Sequence, residues 1–306
     1  MDRLFSQSMI LPRRWTALLL VTLMLSGCGL ARRAMYSPST WVFDIRTRNL
    51  AVVPEEITVT TSDHLTLKSY YWAGAKDDSD TVLFFHGRGS HQAIAARYAQ
   101  HIVGRGDNVM VVSYRGFGGN PGSPSRAGIL RDADAFVAEA VRRTGPRARL
   151  WFVGHSLGGA VAFAAAERYG KPSGVFAIST FGQFTDAAPK IVRGLIPEKW
   201  DNLALAGRLN VPVVLLHGDR DTVVPYTSMA KLLNAAAGPT LAITMLDATH
   251  KPNMQLIGPF LAAEIDRINT GDDPLSPPLP VTWALLGKHT AQDARGPGAV
   301  KVKHGH

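Results

Sequence analysis

Short apolar runs alternate with longer helical patterns along most of the chain, and this alternation limits the possible fold more than any other feature. The runs lack the regular polar and apolar alternation of half-exposed strands, so we expect strands buried on both faces. Strands that alternate with helices form right-handed crossovers and a mainly parallel sheet. The predicted strands are Thr81 to Phe85, Asn108 to Ser113, Arg149 to Val153, Gly174 to Ser179, Val211 to Leu216 and Leu241 to Leu246. The predicted helices are His91 to Val103, Ala127 to Thr144, Ala160 to Tyr169, Ser228 to Ala237 and Pro252 to Thr270.

The pattern indicates one α/β domain with additions at both ends. The 306 residues, 46% of them hydrophobic, are enough for one large core. A hairpin is predicted over Glu56 to Trp72, and residues 181–208, which mix aromatic and charged side chains, are predicted to form a small helical lid. The predicted divisions are a signal peptide at 1–27, a tether at 28–53, the α/β domain at 54–270 and a Pro- and Gly-rich, disordered tail at 271–306.

The first 28 residues have the layout of an export signal. Three arginines precede an uncharged apolar run, Trp15 to Leu25, which is shorter than the roughly 20 residues of a membrane-spanning helix. The run ends in Leu25-Ser26-Gly27-Cys28, which resembles the lipobox of bacterial lipoproteins, and Cys28 is the only cysteine in the chain. The resemblance implies lipidation of Cys28 and anchoring in the cell envelope. Gly29, in place of an aspartate after the cysteine, favours the outer membrane over the inner one.

The run Arg149 to Val153 leads directly into Gly154-His155-Ser156-Leu157-Gly158-Gly159 and then into an alanine-rich helix. A G-x-S-x-G motif between a strand and a helix is typical of a nucleophile elbow, a sharp turn that exposes the serine hydroxyl. Glycines are expected there because a Cβ would collide with the neighbouring strand or helix. The sequence therefore predicts that Ser156 is a nucleophile.

A nucleophilic serine needs a histidine to accept its proton and a carboxylate to fix the tautomer of that histidine. His250 follows the last predicted strand and is the candidate base. Asp219 and Asp221 both follow the strand before it, and Asp219 could instead cap the turn through nearby backbone amides. The other histidines of the domain that border predicted strands lie in the elbow or at earlier strand ends: His155, His86 and His217.

Residues from about Pro54 to Ile268 resemble the α/β-hydrolase superfamily, nearest the branch with serine aminopeptidase-like and acylglycerol-lipase-like members. The segments that carry the resemblance, besides the elbow, are Gly218-Asp219-Arg220-Asp221-Thr222-Val223-Val224-Pro225, Tyr114-Arg115-Gly116-Phe117-Gly118, Gly122-Ser123-Pro124-Ser125 and Ser179-Thr180-Phe181. The resemblance implies the α/β-hydrolase fold, a mainly parallel sheet with helices on both faces and a small helical lid.

The resemblance also implies roles for particular residues. In this superfamily the acid follows the nucleophile and the histidine comes last, so the implied triad is Ser156, Asp221 and His250, with Asp221 at the position that matches the Val-Pro spacing. The implied oxyanion donors are the backbone amides of Leu157 and Arg88. The favoured activity is hydrolysis of an ester or thioester of a hydrophobic acyl compound through an acyl-enzyme, because the predicted lipid would hold the protein beside acyl lipids and the predicted lid is apolar. An amide or peptide substrate is the nearest alternative, and a catalytically silent binding protein of the envelope is another.

The charge and histidine distribution indicate the partners. The formal net charge is +9, and removal of the predicted signal peptide, which carries +2, leaves +7. The arginines are scattered, and no basic run with interleaved aromatic residues appears, so we expect a membrane and a small acyl substrate as partners but no nucleic acid. We predict no cofactor and no metal, because His289, His304 and His306 lie apart in the tail and are expected to be solvated.

Overall fold

The computed structural model of the chain describes residues 29, 31–41, 43–45, 50–75, 80–187, 198–271 and 283–288. The predicted signal peptide and Cys28 lie outside the described residues. Within the described ranges, no helix combines the length and the apolar character that crossing a membrane would require.

The described strands form one sheet. In chain order they are β1 (Glu55–Thr60), β2 (Thr66–Trp72), β3 (Thr81–Phe85), β4 (Asn108–Val112), β5 (Leu150–His155), β6 (Gly174–Ile178), β7 (Val213–Gly218), β8 (Thr240–Met245) and β9 (Trp283–Lys288). Their order across the sheet is β1-β2-β4-β3-β5-β6-β7-β8-β9. Strands β3 to β8 are parallel to one another, and β1, β2 and β9 are antiparallel to their neighbours.

Helices cover both faces of this sheet. They are α1 (Gln92–Ala99), α2 (Arg126–Thr144), α3 (Leu157–Tyr169), α4 (Asn202–Ala206), α5 (Thr227–Ala235) and α6 (Met254–Thr270). Phe136 of α2 and Phe163 of α3 belong to the apolar core on one face, with α4 and α5, whereas Phe260 of α6 packs with α1 on the other. The predicted parallel sheet covered on both faces is thus confirmed as the α/β-hydrolase fold, and the predicted opening hairpin is β1 and β2.

Local sequence explains why these elements start and stop where they do. All residues of β3, β4 and β5 are buried, as predicted from their unbroken apolar character. Helix α2 begins after Ser125, whose hydroxyl accepts a hydrogen bond of 3.1 Å from the amide of Gly128. It ends at Gly145, whose φ of 86° lies in the region that favours glycine. Because β3 to β8 are parallel, the loops that follow them lie at the same edge of the sheet.

The segment expected to be a tether is packed against the domain over residues 31–41 and 43–45. Residues 31–36 are helical, and Tyr36 is completely buried. The Tyr36 hydroxyl donates to a carboxylate oxygen of Glu198, and the indole nitrogen of Trp200 donates to that hydroxyl at 3.1 Å. Glu198 also accepts from Arg32 Nε at 2.9 Å. The segment is ordered because its aromatic and arginine side chains find partners more than 160 residues away along the chain.

Part of the predicted lid is described. Phe184–Ala187 form a short 3₁₀ helix, Gln183 pairs with Asp201 as an isolated β-bridge, and Trp200 is buried. Residues 188–197, with the apolar side chains of Ile191, Leu195 and Ile196, lie outside the described residues.

The predicted disordered tail contains strand β9. This strand pairs antiparallel with β8, with Trp283 opposite Met245 and Lys288 opposite Thr240. Without it β8 would be an edge strand, whose outward backbone groups can accept another strand, and the run at 283–288 supplies one. The tail therefore differs from the prediction at these six residues, and the rest of residues 272–306 lies outside the described part of the chain.

Candidate active site

Ser156 occupies a sharp turn between β5 and α3. Its φ of 56° and ψ of −120° are unusual for a residue other than glycine, and a strained backbone of this kind costs about 1–3 kcal/mol. A Cβ on Gly158 would lie 2.0 Å from the carbonyl oxygen of Phe85, and one on Gly154 would lie 2.2 Å from the carbonyl oxygen of Gly158. Glycine is therefore required at both positions, as the sequence predicts for an elbow.

The three residues of the predicted triad lie in hydrogen-bond contact. His250 Nε2 is 3.0 Å from Ser156 Oγ, and His250 Nδ1 is 2.8 Å from Asp221 Oδ2. Ser156 and Asp221 are buried and His250 is half-buried. Residues separated by up to 94 positions in the sequence meet because β5, β7 and β8 are parallel and their carboxyl ends lie at the same edge of the sheet.

Asp221 and Asp219 occupy different environments in the loop after β7. Asp221 Oδ1 accepts from the amides of Val223 at 2.8 Å and Val224 at 2.9 Å. Asp219 is exposed, and its own amide donates to the carbonyl of Met245 at 3.1 Å. Asp221 therefore contacts His250. Asp219 is in the same loop but does not take part in that contact.

Hydrogen bonds keep the Asp221 carboxylate charged despite its burial. Burial alone would raise the pKa of this carboxyl group, but donors from His217, His250 and the amides of Val224 and Val223 outweigh it and hold the pKa well below its ordinary value of 3.8. An ionised carboxylate can accept the Nδ1 proton of His250 and stabilise the imidazolium that forms when the serine proton is taken up.

The two predicted oxyanion donors belong to segments that adjoin the serine. Leu157 is the first residue of α3, so its amide has no acceptor one turn earlier in the helix. Arg88 follows Gly87 in the loop after β3, and a Cβ on Gly87 would lie 3.3 Å from Ser156 Cβ, so this loop packs against the nucleophile. The Arg88 side chain is exposed. Leu157 and the loop that carries Arg88 thus adjoin Ser156, and the donor role of the two amides stays a prediction.

Two histidines that sequence reasoning assigned to the elbow and to a strand end also contact the triad. His155 Nε2 is 2.9 Å from the carbonyl oxygen of His250, and its ring centroid is 5.0 Å from that of His250. His217 Nε2 is 3.2 Å from Asp221 Oδ2. Their positions in the sequence could have indicated these contacts with the triad. Each histidine stands at the carboxyl end of a parallel strand, where the triad also assembles.

Within the described residues, no group of three or more histidine, cysteine or acidic side chains is arranged to hold a metal ion. The tail histidines His289, His304 and His306 lie outside those residues.

Part of the chain is similar in sequence to known proteins. Residues 76–200 match the family model described as serine aminopeptidase, S33. An uncharacterized protein of Mycobacterium tuberculosis is 28% identical over 248 residues, which cover 78% of this chain and 87% of that protein. Protein bem46 of Schizosaccharomyces pombe is 29% identical over 193 residues, which cover 58% of this chain and 64% of that protein.

Solved structures share the fold at low sequence identity. The Pyrococcus furiosus esterase Pf2001 has a TM-score of 0.60 at 18% identity, covering 76% of this chain and 98% of that one. Est1E of Butyrivibrio proteoclasticus, solved with ferulic acid bound, has a TM-score of 0.60 at 16% identity and covers 70% of this chain and 100% of that one. The chain therefore has the α/β-hydrolase fold, and residues 76–200 are similar to the serine aminopeptidase, S33, family.

Proposed function

We propose that the protein is a membrane-tethered serine hydrolase that cleaves an ester or thioester of a hydrophobic acyl compound through an acyl-enzyme on Ser156. The observation that carries the proposal is the continuous chain of contacts from Asp221 Oδ2 through His250 to Ser156 Oγ, at 2.8 and 3.0 Å. A serine held this way is activated for attack on an acyl carbon, whereas an isolated buried serine is not.

The proposed reaction has two halves. In the first, Ser156 Oγ bonds to the acyl carbon while its proton moves to His250 Nε2, and the amides of Leu157 and Arg88 stabilise the negative oxygen. The bond to the leaving alcohol or thiol then breaks, and His250 returns the proton to that group. In the second half, water gives a proton to His250 Nε2 while its oxygen bonds to the acyl carbon. The bond between that carbon and Ser156 Oγ then breaks, His250 returns the proton to Oγ, and the acid is released.

Apolar groups beside the triad support a hydrophobic acyl group. Thr180 Oγ1 donates to the backbone carbonyl of Ser156 at 2.8 Å, and the next residue, Phe181, packs edge-on against Phe184 with ring centroids 5.2 Å apart. Val223, whose amide contacts Asp221, is 55% exposed. The two solved structures described above are esterases by name or bind an aromatic acid, which is consistent with an acyl ester substrate.

An amide or peptide substrate is the second candidate, because the matching family model is described as a serine aminopeptidase. The same nucleophile and base can cleave either bond, so the two differ in how the leaving group is bound and protonated. The relative kcat/KM values for matched esters, thioesters and amides of one acyl group decide between them.

The proposed membrane tether rests on Cys28 and is supported by the position of the chain after it. Residues 31–41 lie at the same sheet edge as the triad: the Ser39 carbonyl accepts from the Gly118 amide at 2.7 Å, and Gly118 belongs to the loop after β4. A lipid on Cys28 would therefore hold the active-site edge close to the bilayer, because only a few residues separate the lipid from the docked segment.

The test of the proposed function is active-site labelling followed by a substrate panel. We expect a fluorophosphonate probe to label the mature wild-type protein and to leave Ser156→Ala unlabelled, with both folded by circular dichroism. We then expect acyl esters or thioesters to be hydrolysed faster than the matched amides. Labelling that survives Ser156→Ala would move the nucleophile elsewhere, and an absence of labelling in the folded wild type would support a silent binding protein.

A further inference from the structure

His217 is a buried histidine that the three-residue description of the site leaves without a role. It is in β7, one residue before the strand ends at Gly218. Its Nε2 atom is 3.1 Å from the carbonyl oxygen of Val224 and 3.2 Å from Asp221 Oδ2. Both neighbours can only accept a hydrogen bond, so Nε2 carries a proton and donates it between them.

This donor completes the set of hydrogen bonds around the Asp221 carboxylate. Oδ2 faces His217 Nε2 and His250 Nδ1, and Oδ1 accepts the amides of Val223 and Val224. Each oxygen therefore has two donors. Rotation of the carboxylate about its Cβ–Cγ bond would break these contacts. The donors other than His250 therefore fix the orientation of the carboxylate toward His250.

We propose that His217 is a positioning residue for the acid of the triad: its Nε2–H holds Asp221 Oδ2 in line with His250 Nδ1 and favours the ionised carboxylate. The inference rests on the proposed function, since it assigns a role within the same site. His217 acts through Asp221 and contacts neither Ser156 nor the expected position of the substrate.

A purely structural role would arise from other contacts of the same ring. The His217 ring meets Tyr226 edge-on at a centroid distance of 5.9 Å, and the bond to Val224 joins strand to loop. These contacts would affect folding but would not alter the acid. The titratable groups that contact the Asp221 carboxylate are His217 and His250. Further out, His155 lies against the His250 ring and Tyr226 lies against the His217 ring. The effects of substitutions at His217 must therefore be measured on catalysis and on its pH dependence, and not on stability alone.

The test compares two polar substitutions that differ in reach. Glutamine can place an amide N–H near the position of Nε2, whereas the shorter asparagine cannot reach Asp221. We expect His217→Asn to lower kcat on a soluble acyl ester at least tenfold with KM within about threefold, and His217→Gln to recover to within about fivefold of wild type. Tyr226→Phe is the matched control, because it keeps the ring beside His217 and removes only a hydroxyl that contacts Thr244. We expect it to stay within about twofold.

The pH profile supplies a readout that a structural role would not change. Without the His217 donor, the ionised Asp221 carboxylate attracts the His250 imidazolium more strongly, and this effect moves the acid limb of kcat/KM to higher pH. We expect this shift in His217→Asn and not in Tyr226→Phe.

Two outcomes would overturn the proposal while leaving the proposed function intact. The first is a His217→Asn variant that is labelled by fluorophosphonate at the wild-type rate with an unchanged acid limb. The second is a His217→Gln variant that is as slow as His217→Asn, with the acid limb unmoved in both. That result would show that a hydrogen-bond donor at this position does not matter for catalysis. A folded wild type that reacts with no fluorophosphonate would instead refute the proposed function itself.

Discussion

His155 Nε2 donates a hydrogen bond of 2.9 Å to the backbone carbonyl of His250. His155, the residue before the nucleophile, thus holds the loop that carries the base. The distance between Ser156 and His250 therefore does not depend only on the hydrogen bond between them. Burial lowers the pKa of His155 to about 4, so its ring stays neutral at physiological pH and adds no charge beside His250. A neutral cross-link from the elbow therefore helps to hold the nucleophile and the base at their observed distance.

The choice between Asp221 and Asp219 can be tested directly. In Asp221→Asn the side-chain amide can present a donor to His250 Nδ1 and favour the wrong tautomer, so we expect kcat to fall by roughly 10³- to 10⁴-fold. Asp219→Asn is the matched control in the same loop, and we expect it to lower kcat less than about tenfold. Steady-state kinetics at saturating ester, with folding checked, measures both. A larger loss in Asp219→Asn would reassign the acid.

Buried histidines should make the protein less stable as pH falls from 6.5 to 4. Burial lowers the pKa values of His86 and His155 to about 4 in the folded state, against 6.5 ordinarily. Between these values the unfolded chain binds more protons, so acidification favours unfolding, by about 3 kcal/mol for each histidine at 1.36 kcal/mol per pH unit. Asp221 acts only below this window, since its pKa lies below 3.8.

Urea titrations at several pH values measure this effect. We expect His86→Gln to reduce the slope of the unfolding free energy against pH, with an upper limit of about 1.4 kcal/mol per pH unit for one histidine. An unchanged slope in this variant would show that His86 takes up its proton equally in both states.

The tether prediction depends on a single thiol. We expect Cys28→Ser to yield an uncleaved or soluble precursor, because the acceptor for the lipid is lost while the domain is untouched. Fractionation of cells grown with labelled palmitate, with the wild type as the control, gives the result. A processed, lipid-labelled variant that remains in the membrane fraction would contradict the lipobox interpretation.

The docked segment at 31–45 should contribute to stability through Tyr36. Tyr36→Phe removes a hydroxyl that donates to Glu198 and accepts from Trp200, which leaves two polar groups in a part-buried site without this partner. We expect the free energy of unfolding to fall by about 1–3 kcal/mol. Tyr169→Phe, a half-buried ring on Phe152, is the control and should change it by less than about 0.5 kcal/mol. Equal effects would mean that residues 31–45 are held by other contacts.

Local patterns in the sequence were enough to predict the fold and the elbow. A strand buried on both faces needs an unbroken apolar run, and a turn as tight as the one at Ser156 needs glycines at fixed offsets, so both features depend on neighbours within a few residues. The sequence also places Ser156, Asp221 and His250 after predicted parallel strands, and the resemblance to a known family implied their order as nucleophile, acid and base.

The tertiary structure alone decided what surrounds these residues. Whether Asp219 or Asp221 reaches His250 depends on how one loop turns, and the contacts of His155 and His217 with the triad depend on neighbouring strands lying side by side. The packing of residues 31–45 depends on Glu198 and Trp200, and the place of β9 depends on an open edge at β8. Each of these contacts joins segments that are distant in the sequence. It contributes free energy only after the sheet has brought those segments together.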